Sequence, residues 1–270
     1  CELHDTRGKD AYLENIATYA AANPDVPWIL GGGWTLSDFP GGRPGREDLD
    51  RIVPDRPVFL QNRDGHDAWV NSKALEIAGI TKDTADPDDG RIARDPDGSP
   101  MGTLHEGAMA LVDRLLPATS DEDLRRATLD SQRYLHSLGI TAWQDAWLTP
   151  AGQSAYMALA ASGELTARVI GAQWWERERG LEQVEEMVER RALGRLGRFA
   201  ATSVKLMLDG IVENQTASMT EPYLDVHGHT TDNRGMDFID PDDLREIVVR
   251  IDALGFQPHF HTLGDRAVRQ

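Results

Sequence analysis

Apolar and polar positions follow two periods along this chain. Tyr12, Leu13, Ile16 and Tyr19 recur at helical spacing and predict a helix over residues 9–22, stopped by Asn23-Pro24. Two short apolar runs bounded by turn residues then read as strands. One is Pro27-Trp28-Ile29-Leu30, which runs into Gly31-Gly32-Gly33-Trp34, and the other is Arg56-Pro57-Val58-Phe59-Leu60-Gln61-Asn62. Residues 73–78 read as a helix ended by Gly79, and the turn sequences at 86–90 and 95–98 enclose a hairpin arm. Leu104, Ala108, Leu111, Val112 and Leu115 form a second helical stripe, and Ser120-Asp121-Glu122-Asp123 caps a long helix running to Ser137.

Beyond residue 138 the pattern becomes regular. Strands are predicted at 139–145, 167–172 and 203–210, helices at 151–162, 180–193 and 241–254, and a last strand at 256–261. This is the alternation that a parallel sheet or a (β/α) barrel requires, so the fold class is α/β. Residues 27–103 read as a small α/β unit of their own, after a helical lead-in over 1–26 and before the strand and helix alternation of 104–270.

Composition narrows the partners. Across 270 residues there are 28 Lys and Arg against 45 Asp and Glu, a formal net charge of −17 spread along the chain. Such a surface repels nucleic acid and anionic membrane, and no apolar run is long enough to span a bilayer. The single cysteine, Cys1, excludes an internal disulfide and fits a reducing cytoplasm. The expected partner is a small-molecule substrate, and a homodimer is compatible with the composition.

The candidate chemistry concentrates near the carboxyl end. In Phe256-Gln257-Pro258-His259-Phe260-His261 the two imidazoles are two residues apart, so an extended backbone puts both on one face, where they can reach one metal ion. A histidine on a strand is also commonly a packed or surface side chain. Lys205 lies mid-strand between Val204 and Leu206. Desolvation there favours a neutral amine able to act as a base, form a Schiff base or take up carbon dioxide as a carbamate; an edge-strand lysine is the alternative. Upstream, Asp64-Gly65-His66-Asp67-Ala68-Trp69-Val70-Asn71 crowds polar groups and a tryptophan at the end of a strand, and Trp34 follows three glycines. His227-Gly228-His229 has ligand-like spacing but sits in a Gly- and Thr-rich loop, where solvent exposure is the simpler account. No Gly-x-Ser-x-Gly elbow occurs.

Four motifs in order resemble the amidohydrolase superfamily, in the branch that includes N-substituted formamide deformylase. They are Asp64-Gly65-His66-x-x-Trp69-Val70-Asn71-Ser72-Lys73-Ala74-Leu75, Val204-Lys205-x-x-x-Asp209-Gly210, Thr216-Ala217 with Pro222-Tyr223, and His261-x-x-Gly264-Asp265-Arg266-Ala267-Val268. The resemblance implies part of a TIM-like (β/α)8 barrel, about strands two to five, with residues 27–103 as an inserted subdomain over the pocket. It implies one or two divalent metal ions, zinc being the expected one, which activate water to hydrolyse a carbon–nitrogen bond other than a peptide bond. Lys205 matches the fourth-strand lysine, carboxylated where it bridges two ions, and His261 matches the fifth-strand histidine, so these two are the expected catalytic metal ligands. His66, Trp69, Asn71, Trp34 and His259 are then expected to face substrate, with Glu106 a weaker candidate for the same lining.

The family's first-strand His-x-His pair would precede Cys1, and its sixth-strand histidine and eighth-strand aspartate would follow Gln270. With a first residue other than Met and an end just inside a predicted helix, the expectation is an internal piece of a longer protein. Two other functions stay open at this stage: a lyase or aldolase working through a Schiff base on Lys205, and a barrel that binds a small molecule without catalysis.

Overall fold

A computed structural model describes all 270 residues, as two compact units each built from more than one stretch of chain. The first comprises Cys1–Pro117, Gly210–Met236 and Leu263–Arg266. It contains helix α1 (Lys9–Ala22), strand β1 (Ile29–Trp34), the short α2 (Arg46–Asp50), β2 (Val58–Asn62), β3 (Asp67–Val70), α3 (Ser72–Ala78), β4 (Gly90–Arg94), β5 (Pro100–Glu106) and the single turn α4 (Ala110–Asp113). Its sheet runs β1-β2-β3-β5-β4, parallel between β1 and β2 and antiparallel elsewhere. Alternation along the strands supplies two cores, as period-2 side chains must. Ile29, Val58, Leu60 and Trp69 pack with Tyr12 and Ile16 of α1, while Phe59, Ala68, Val70 and Leu104 pack with α3 and Val112. The helix over 9–22 therefore shares a core with the sheet.

The second unit comprises Ala118–Asp209, Asp237–Thr262 and Ala267–Gln270. Its elements are α5 (Asp121–Ser137), β6 (Ala142–Leu148), α6 (Pro150–Ser162), β7 (Arg168–Trp174), α7 (Val184–Leu193), the two-residue β8 (Arg195–Leu196), β9 (Phe199–Met207), α8 (Pro241–Ala253) and β10 (Gln257–His261). The sheet order is β10-β9-β7-β6, all parallel, with β8 antiparallel on β9. Helix starts follow capping chemistry: Ser120 accepts from the Asp123 amide, Thr149 from Gly152 and Asp240 from Asp242. Helices α6, α7 and α8 bury Tyr156, Leu159, Met187, Leu244, Ile247 and Ile251 against one face of the sheet, on Val169, Phe199, Ala201, Val204 and Leu206.

One predicted element changes type. The stripe from Leu104 to Leu115 is not one helix: Leu104 lies in β5, paired with Ala68 and Ile92, and a short turn with α4 follows. Thr103, Leu104 and His105 are all buried, and a strand covered on both faces leaves no period to separate it from a buried helix.

Candidate functional site

In the second unit, parallel pairing sets Lys205 of β9 directly opposite His259 of β10 and Met207 opposite His261. Since Val204 and Leu206 point into the helix-covered core, Lys205, His259 and His261 share the other face. Trp174 of β7 pairs with Lys205 and stacks on Trp147, ring centroids 4.3 Å apart. The sequence patterns single out neither tryptophan.

Electrostatics favour uncharged donors here. Burial lowers the Lys205 pKa, and burial followed by repulsion from the Lys205 cation lowers that of His259. The Nδ1 atom of His259 is buried with no hydrogen-bond partner, and so is the Ser203 hydroxyl oxygen one position before Val204 on β9. An unsatisfied buried donor or acceptor costs about 1–3 kcal/mol. No three His, Cys, Asp or Glu side chains of this chain are grouped to hold a metal ion, so any ion here needs Lys205 or ligands from outside these residues.

The first unit holds a buried polar network. Asn62 accepts from the backbone amides of His66 (2.9 Å) and Asp67 (3.1 Å) and donates to Asp67 Oδ2 (2.9 Å), which fixes the Asp64-Gly65 turn. His66 Nδ1 lies 2.8 Å from Glu106 Oε2. Glu106 Oε1 accepts from Thr216 Oγ1 (2.7 Å) and Asn214 Nδ2 (3.1 Å), and the same Nδ2 donates to Asp67 Oδ1 (3.1 Å). His105 Nδ1 completes a second pair on Asp67 Oδ1. Asn214 thus bridges two histidine–carboxylate pairs. Glu106 adopts φ 50° and ψ −128°, a conformation that costs a residue with a side chain roughly 1–3 kcal/mol and is held here by its surroundings. A Cβ on Gly210 would lie 2.4 Å from Glu106 Oε1, which explains the glycine at the end of the Val204–Gly210 motif.

Burial alone would lower the His66 pKa, but hydrogen bonding and attraction from Glu106, helped by Asp67 and Asp64, raise it overall. Burial would raise that of Glu106, yet His66, Thr216 and Asn214 hold it below the usual carboxylate value. Both directions describe an imidazolium–carboxylate pair. Its stabilisation is complete above about pH 4.3 and below about pH 6.5, the unfolded values of Glu and His. It fades as pH rises through the raised folded value of His66, and as pH falls through the lowered value of Glu106. Urea melts of wild type and Glu106→Gln should therefore differ most near pH 5–6 and converge in alkali; a gap that widens with alkali contradicts the pairing.

The other expected substrate residues sit differently. Trp34 and Trp69 are fully buried, in edge contact with Phe39 and each other, and their indole N–H groups donate to Leu60 O (2.8 Å) and Gly45 O (2.9 Å). Asn71 is also fully buried; it caps α3 through the Ala74 amide and donates to Val53 O and Arg56 O. The side-chain polar groups of all three are engaged inside the fold. His66 of the same motif is partly exposed.

The sequence model of the Amidohydrolase family matches residues 1–270. This chain belongs to that family. It is 30% identical to Protein LONG AFTER FAR-RED 3 of Arabidopsis thaliana, covering 98% of this chain and 46% of that protein. It is 26% identical to the N-substituted formamide deformylase of Arthrobacter pascens, over 96% of this chain and 48% of the other. A metal-dependent hydrolase from Pyrococcus horikoshii shares the fold at a TM-score of 0.64 and 22% identity, over 99% of this chain and 50% of that one. The amidohydrolase chain spans about half the length of the relatives it matches.

Proposed function

We propose that the whole protein is a metal-dependent hydrolase that cleaves a carbon–nitrogen bond other than a peptide bond, with the parallel sheet of the second unit forming part of a (β/α)8 barrel. The observation that carries this reading is the shared face of β9 and β10, which sets a desolvated lysine beside two imidazoles at the carboxyl ends of parallel strands. That is where such sheets place their chemistry. Lys205 and His261 would hold a divalent ion, zinc being the expected one, with Lys205 as its carbamate where two ions are bridged. The orphaned Nδ1 of His259 supports the fit, since the buried face lacks a partner that a bound ligand would supply. His259 is assigned to substrate.

A bound ion of this kind lowers the pKa of its water to about 7 and polarises a carbonyl. Lys205 and His261 fix where that happens, and the stacked Trp147 and Trp174 give the same face an apolar side suited to an organic substituent on the substrate. The deformylase relative supports an amide-like bond. The full-length protein should hydrolyse an N-substituted formamide, lose that activity on dialysis against a chelator and recover it with zinc. Activity unchanged by chelation would remove the metal from the account.

The lowered pKa of Lys205 also favours a second reading, a Schiff-base lyase. Borohydride trapping of a carbonyl compound on Lys205 would favour that chemistry over hydrolysis.

A further inference from the structure

Plain alternation along β6 would turn Trp147 toward the helix-covered side of its sheet. Trp143 pairs with Val169, and both pack toward α6. Asp145 pairs with Gly171 in the same register, so in a regular strand Trp147 would follow Trp143 and Asp145 onto that side. Instead the register slips between Asp145 and Leu148: Leu148 pairs with Gln173 and enters the helix-side core, fully buried. One extra residue reverses the parity, and Trp147 emerges on the face that carries no helix. There it stacks on Trp174, with ring centroids 4.3 Å apart and planes 13° from parallel.

Two local features hold this bulge. The Trp147 amide donates to Asp145 Oδ1 at 3.0 Å, and Gly171 makes room for Leu148, whose side chain a Cβ at that position would strike. Trp174 in turn stands directly opposite Lys205, which stands opposite His259. The two indoles and the two nitrogen bases therefore form one row across β6, β7, β9 and β10. Trp147 remains 54% exposed, so its ring adds little to the core that the bulge completes with Leu148. Bulges of this kind re-aim a side chain beside an active site.

We propose that Trp147 and Trp174 form a specificity-determining platform that stacks a flat aromatic ring of the substrate, so that the preferred substrate is an amide bearing an aryl-containing group on nitrogen. The proposal deepens the hydrolase reading above and rests on it for the reaction; the platform itself rests on the bulge and the stack, both within the second unit. Ring-on-ring contact adds a preference of roughly 2–12-fold over the burial of an equal apolar area, because the quadrupoles of offset or edge-on rings attract. A saturated ring of the same reach gains the burial without that addition.

The test compares two compounds of equal reach, N-(2-phenylethyl)formamide and N-(2-cyclohexylethyl)formamide, on the full-length zinc-loaded protein. Wild type should favour the phenyl compound in kcat/KM by about 5–10-fold, carried mainly by KM. The preference should shrink to about 2-fold or less in Trp147→Leu and in Trp174→Leu and persist in Trp147→Phe, with bound metal unchanged in all three. A wild-type ratio near one, or a ratio retained in both leucine variants, overturns the platform. So does a preference that is lost only where bound metal is lost with it. Should wild type cleave neither compound, the hydrolase reading has failed, and calorimetric binding of the same pair decides the platform separately. Tighter binding of the phenyl compound, abolished in Trp147→Leu, sustains it; equal binding of the two overturns it.

Discussion

Lys205→Ala in the full-length protein is expected to reduce hydrolysis by well over 100-fold while leaving the fold intact. Loss of a residue that merely orients a metal ligand already costs about 10–100-fold, and a direct ligand should cost more. The fold should survive because the lysine is half-buried on the sheet face that carries no helix, while Val204 and Leu206 on either side supply the core contacts of β9. Lys205→Arg should fail almost as badly, since a guanidinium neither coordinates nor forms the carbamate. Most of the activity surviving in Lys205→Ala would remove the residue from the centre of the account.

Trp69→Ala should have the largest effect on stability, a loss of about 3–5 kcal/mol in urea melts, typical of an emptied indole site in a packed core. Against a usual domain stability of about 5–15 kcal/mol this brings the first unit close to unfolding at ambient temperature. The ring meets Phe39 at 5.1 Å and Trp34 at 6.3 Å, so the cavity is walled by side chains already pinned by their own contacts. Collapse around the missing ring is correspondingly hard. Trp69→Phe should be milder, losing the hydrogen bond to Gly45 O but keeping most of the buried area. A loss below about 1 kcal/mol in Trp69→Ala would mean that the residue is more accessible than its burial implies.

Much of this architecture can be read from local pattern. The helices at Lys9–Ala22 and Asp121–Ser137 follow from periodicity and from punctuation by Pro24 and Ser120, and the parallel strands of the second unit follow from apolar runs alternating with helical stripes. Lys205 with His259 and His261 is legible too, because period-2 alternation converts sequence spacing into a shared face. Other features have no local signature. Trp34 and Trp69 stand beside polar, glycine-rich stretches that suggest a pocket rim, and only tertiary packing decides that both indoles point inward. The Glu106–Asn214 and Glu106–Thr216 contacts join residues more than 100 positions apart, and their trace in the sequence is a pair of polar residues and a glycine with no visible reason to be there. The strained backbone of Glu106 is likewise invisible to propensity, because it exists only where the surroundings enforce it.

The most direct test of the central claim is metal analysis of the purified full-length protein beside its Lys205→Ala and His261→Ala variants. The expected result is one or two divalent ions per wild-type chain, with zinc predominating, and a marked loss in both variants. Wild-type protein without bound metal after growth in zinc, or variants that retain the full wild-type content, would contradict a metal centre built on these two residues.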